Sequence, residues 1–171
     1  TCSIAGDLSG VQGSSLLPVM CAAAASADAC ELWVETVIRG MTLEEKLGQL
    51  LHPTLTYWDQ RIPQEKLIGQ ILQYQAGGAF MAGRPVRELR GLARRVLQAS
   101  KVPVIFSGDC ECGAVTAAEG KSFGAAMALA AVEDLAEASA IAHEIGLATA
   151  GQSIAAGIHW SLAPVIDINL N

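Results

Sequence analysis

The sequence predicts an α/β fold built on a parallel sheet. Short apolar runs alternate with helix-like stretches from residue 31 onward. The runs "GAFMAG" (78–83), "KVPVIFSGD" (101–109) and "IHWSLAPVIDINLN" (158–171) read as strands. They are brief, and apolar on both faces, as buried parallel strands are. Two long amphipathic or Ala-rich segments separate them, so the order is strand, helix, strand, helix, strand. The composition agrees. Hydrophobic residues make up 51% of 171 and charged ones 16%, enough to bury a core and too apolar for disorder.

Each element has its own signature. "ELWVETVIRG" (31–40) reads as a short helix stopped by Gly40. "MTLEEKLGQLL" (41–51) carries a capping box, with Thr42 as N-cap and Glu45 three residues on, and a buried stripe of Leu43, Leu47, Leu50 and Leu51. "IPQEKLIGQILQYQAGG" (62–78) begins at Pro63, faces Leu67, Ile68, Ile71 and Leu72 inward, and ends at Gly77-Gly78. "RPVRELRGLARRVLQAS" (84–100) puts Val86, Leu89, Leu92, Val96 and Leu97 on a core face, with Arg84, Arg87, Arg90, Arg94 and Arg95 solvated. The Ala-rich stretch 132–157 is a long helix ending at Gly157. The first predicted strand lacks the G-x-G-x-x-G of a dinucleotide fold. An open doubly wound sheet and the first part of an eight-stranded barrel both fit the pattern, and a whole barrel needs about 250 residues.

Residues 1–30 stand apart as a leader-like segment. "SSLLPVMCAAAASADAC" has the apolar and Ala-x-Ala character of a secretory signal without a basic start, and reads equally as a disordered or loosely packed leader of low-complexity alanine. A secreted or periplasmic protein follows if residues 14–29 are a signal remnant, a cytoplasmic one otherwise. The apolar run is shorter than the ~20 residues of a membrane span.

Net charge is −6 and no basic face forms, which sets nucleic-acid binding aside. Five cysteines (Cys2, Cys21, Cys30, Cys110, Cys112) follow no disulfide framework, and Cys110-x-Cys112 lacks a second zinc-like pair. His52, His143 and His159 are scattered. No metal or cofactor is expected. His52 follows a helix C-terminus, where a cation is favoured. His159 and Trp160 read as core or floor residues, and His143 as structural or solvent-facing.

The chemistry concentrates in "FSGDCECGAV" (106–115), where a strand runs into Asp109 and Glu111. An ionised carboxylate at a strand end accepts strong hydrogen bonds. It also caps turn N–H groups in a merely structural role.

Four segments together resemble glycoside hydrolase family 3. "MTLEEKLGQLL" is similar to that family's opening helix. "GDCECGAV" resembles its Asp-x-Glu-x-Gly loop after strand 2. The Ala-rich helix and then "GIHWSLAPVIDIN" resemble its run through strand 3 to an Ala-Pro-Val-x-Asp turn. The resemblance spans about residues 32–171. It implies a (β/α)8 barrel, here its first three βα units, incomplete. It also implies an exo-acting retaining β-glycosidase that removes one terminal β-linked sugar through a glycosyl-enzyme intermediate. Glu111 favours the β-N-acetylhexosaminidase branch over β-glucosidase. By the same resemblance Asp109 binds the terminal sugar and Asp167 lies near the pocket floor in a supporting role. Asp167 also reads as a buried Asp fixing a strand-end turn, and Glu111 as a carboxylate that orients the loop or Asp109, or as a salt-bridged or solvated loop residue. Ala117 stands where many members carry a sugar-gripping Arg. The family's Lys-His pair, acid/base and nucleophile belong to later strands, so no catalytic residue is expected in this chain, and the chain alone is expected to be inactive. The partners implied are a β-linked oligosaccharide or glycoside and a covering for the open barrel, either its missing half or a second copy. The rival expectation is a non-catalytic truncated homologue acting as a carbohydrate-binding or assembly module.

Overall fold

The computed structural model describes residues 27–56, 63–114 and 120–166. Helix α1 (Ala27–Gly40) forms a unit of its own and begins within the leader-like segment. The second unit begins at Met41. Its elements are α2 (Leu43–Gly48), β1 (Thr54–Thr56), α3 (Gln64–Gln73), β2 (Gly78–Met81), α4 (Val86–Ala99), β3 (Ile105–Gly108), a 3-10 turn (Ala126–Ala131), α5 (Leu135–Ala156) and β4 (Trp160–Ser161).

Four strands form one sheet, every pair parallel, in the order β1-β2-β3-β4. Sequential order without a reversal is what a barrel arc needs; a doubly wound sheet reverses direction at a switch point. Phe80 pairs with Ser107, and Ser107 with Trp160. The strand count corrects the expected three. Thr54-Leu55-Thr56 is three residues long and two-thirds polar, too little for a periodic signal. Asp109 therefore follows the third strand, not the second.

The core lies between this sheet and its helices. Leu55, Ala79, Met81 and Phe106 are fully buried there against Ile68, Ile71, Leu89, Leu92 and Val96 of α3 and α4. The expected inward stripes of α3 and α4 are thus present, with Leu67, Leu72, Val86 and Leu97 at their margins. On α4, Arg87, Arg90, Arg94 and Arg95 are solvated, but Arg84 is mostly covered.

Caps form where the residue types call for them. Thr42 Oγ1 accepts from the Glu45 N–H at 3.2 Å, and Glu45 Oε2 accepts from the Thr42 N–H at 3.0 Å. Asp134 caps α5 by accepting from the N–H groups of Ala136 and Glu137. Gly157, at φ 83°, ends α5. The stripe expected on α2 is overturned: Leu43, Leu47, Leu50 and Leu51 are all exposed. Helix α2 has only six residues, and Gly48 is its one buried position.

Candidate functional site

Strand β3 sorts its side chains by alternation. Phe106 faces the helices and is fully buried, whereas Ile105 on the other face is 49% exposed. Ser107 shares the Ile105 face but is 0% exposed. His52 covers it, with Nε2 at 2.6 Å from Ser107 Oγ. The His52 ring also meets the Trp160 ring edge-on at 5.6 Å between centroids. On a flat sheet, side chains of strands three apart stand parallel and about 14 Å apart. A residue just before β1 meeting one on β4 therefore marks this face as concave.

Asp109 is the first residue beyond β3, at the C-terminal rim where βα loops carry chemistry in barrels. Cys110, next in line, is buried against the helix side, its Sγ 3.5 Å from Ser153 Oγ of α5. Alternation then sends Asp109 to the concave side. Burial first, and the charge of Glu111 second, push the Asp109 carboxyl above its ordinary pKa. Glu111 is exposed.

The loop turns back at Gly113, which sits at φ 97°. A Cβ there would lie 2.3 Å from the Lys121 carbonyl and 2.7 Å from the Phe123 ring. The Phe123 N–H donates to the Cys112 carbonyl at 2.9 Å, and the Lys121 N–H to Gln152 Oε1 at 2.7 Å. The glycine of Asp-x-Glu-x-Gly is thus fixed both by backbone conformation and by close approach.

Neighbouring strand ends complete the rim. Thr56 Oγ1 donates to the Ala82 carbonyl at 2.8 Å and accepts from its N–H at 3.0 Å. The Leu162 N–H donates to the Gly108 carbonyl at 3.0 Å. Arg84, in the loop after β2, sets Nε 3.8 Å from Glu88 Oε2. Thr56 and Arg84 were missed as rim residues by sequence reasoning. The strand carrying Thr56 gave no periodic signal, and Arg84 shares the helical spacing of the solvated arginines.

His52 departs from expectation, whereas His143 is solvent-facing as expected. Desolvation lowers the His52 pKa, against the cation that a helix end favours; its ring contacts Ser107 and Trp160 while the residue keeps an exposed side. Burial also lowers that of His159, whose Nδ1 accepts from the Phe106 N–H at 3.4 Å, as a neutral ring must. His143 is exposed on α5. Among the described residues no group of three or more His, Cys, Asp or Glu side chains fits a metal ion, and no helix is long and apolar enough to cross a membrane. Asp167 and Ala117 lie outside the described residues, as do Cys2 and Cys21. A groove of about 900 Å³ runs along α5 past Phe123 and His143, and neither Asp109 nor Glu111 lines it.

Residues 42–171 match the sequence model of the glycosyl hydrolase family 3 N terminal domain. The chain belongs to glycosyl hydrolase family 3. The family 3 chain is 30% identical over 141 residues to a "Beta-N-acetylglucosaminidase/beta-glucosidase" of Cellulomonas fimi, covering 81% of this chain and 23% of that protein. Its fold matches "Beta-glucoside phosphorylase BglX bound to 2FGlc" with a TM-score of 0.72 at 24% identity, covering 86% of this chain and 25% of that one. It also matches a fungal multi-domain GH3 beta-N-acetylglucosaminidase with a TM-score of 0.62 at 24% identity, covering 76% and 16%. The chain thus spans a quarter or less of the length of these relatives.

Proposed function

We propose that residues 42–171 form the part of a family 3 barrel that holds the terminal sugar of a β-linked glycoside, within an exo-acting retaining β-glycosidase. The observation that carries this reading is the place of Asp109 directly after β3, at its C-terminal rim, with the adjacent Cys110 turned to the helix side. A carboxylate already disfavoured in its charged form by burial gains from sugar hydroxyl donors, and two adjacent hydroxyls suit its two oxygens. Glu111 orients the loop beside it, and Asp167 supports the pocket floor.

Asp109 and Glu111 are not the catalytic pair. A retaining glycosidase sets its two carboxyl groups on opposite sides of the scissile bond, about 5 Å apart. These two sit on one loop, one residue between them. The nucleophile and the acid/base are therefore assigned to segments other than this one. N-acetylhexosaminides are favoured over glucosides, on the Glu111 of Asp-x-Glu-x-Gly; the Cellulomonas fimi relative bears both activities in its name. The reading is tested with p-nitrophenyl β-N-acetylglucosaminide and p-nitrophenyl β-glucoside. The 171-residue chain alone should release no p-nitrophenol, and turnover by it would refute the assignment of catalysis to other segments.

A second reading is a carbohydrate-binding or assembly module without catalysis. It is favoured by the concave face, where Ile105 and Trp160 are 49% and 51% exposed. It requires a cover for that face, so light scattering should then give a mass of twice 17.8 kDa or more.

A further inference from the structure

We propose that His52 is a positioning residue for Asp109, acting through Ser107. The role of Asp109 in this inference rests on the sugar-binding reading above; the mechanical link to His52 does not. His52 precedes β1, yet its ring engages each of the other three strands. On β2, Gly78 makes room for it, since a Cβ there would fall 1.9 Å from His52 Nδ1. On β3, Ser107 Oγ lies 2.6 Å from Nε2. On β4, the Trp160 ring packs against it edge-on.

An apolar plug would fill the same floor. What distinguishes His52 is the hydrogen bond, which fixes Ser107 in a face otherwise open enough to leave Ile105 half exposed. Ser107 is two residues before Asp109, and alternation puts both on the concave side. Cys110, held to Ser153 on the opposite side, prevents that stretch from rotating about its own axis. The strand end is thus gripped from both faces, with Asp109 between the grips. A side chain that helps to set where the strand end carries the carboxylate is therefore more than fifty residues away in sequence.

The experiment is carbon-detected NMR of the Asp109 carboxyl in the sugar-free 171-residue chain. His52→Ala should move the Asp109 carboxyl resonance. Ser107→Ala should move it the same way, and the double variant should move it no further. His52→Gln, which keeps a hydrogen-bonding group near Nε2, should return it toward the parent position. Thr54→Val, on the same face without the link, should leave it in place. If His52→Ala does not fold, the Ser107→Ala and His52→Gln spectra decide. An unmoved Asp109 in Ser107→Ala, or additive single effects, overturns the proposal. Because no sugar is present, failure here is separate from failure to bind one.

Discussion

The two faces of the sheet are built on different rules. The helix side is sealed: Leu55, Ala79, Met81 and Phe106 are all at zero exposure. The concave side carries the polar contact of His52 with Ser107 beside an apolar surface left half open at Ile105 and Trp160. The difference teaches where stability and function reside. The helix side holds the strands together, and the concave side places groups at the rim.

The sharpest way to break that division is a pair of truncations on adjacent residues. Phe106→Ala should cost about 3–5 kcal/mol, as large core deletions do. Ile105→Ala, on the half-open face, should cost about 1 kcal/mol or less. Urea midpoints of the two variants test this, and equal losses would erase the distinction between the faces.

Gly113→Ala comes next. It meets both a positive φ and the Lys121 carbonyl, so about 1–3 kcal/mol is expected, with the loop of Asp109 displaced. A melting curve and an amide spectrum check both parts.

The histidines should make the fold acid-sensitive. The pKa values of His52 and His159 are lowered by burial, so their neutral forms contribute stability that is present above about pH 6.5. That stability is lost as pH falls through their folded values. The loss, on the order of 0.5 kcal/mol after solvent screening, should appear in denaturation midpoints between pH 7 and pH 5 and shrink in His52→Gln.

Asp109 has the opposite sign. Its pKa is raised, so the folded chain loses stability as pH rises from about 3.8 through the folded value. Asp109→Asn should be the smallest effect: a slight gain at pH 7 that vanishes in acid, read from denaturation midpoints at the two pH values.

Much of this architecture was legible in the sequence. The Thr42–Glu45 capping box, the α4 core face and the Gly157 stop are local patterns, and each formed where its residues call for it. Strand β1 was not legible, because three residues carry no period. The exposed leucines of α2 show the limit of periodicity: a stripe marks what is meant to be covered, not what covers it. In the loop after β3, the strand-end place of Asp109 and the turn at Gly113 were readable because motif and loop coincide. His52 was not, since its partners on β2, β3 and β4 are 26 to 108 residues away and only folding brings them together.

The central claim is that Asp109 seats the terminal sugar. Titrating the chain and its Asp109→Ala variant with N-acetylglucosamine, by NMR of the 106–114 amides, tests it most directly. The account predicts saturable shifts in the parent, with a Kd on the order of millimolar, and none in the variant. Equal binding by both chains, or no response of the loop in the parent, would contradict it.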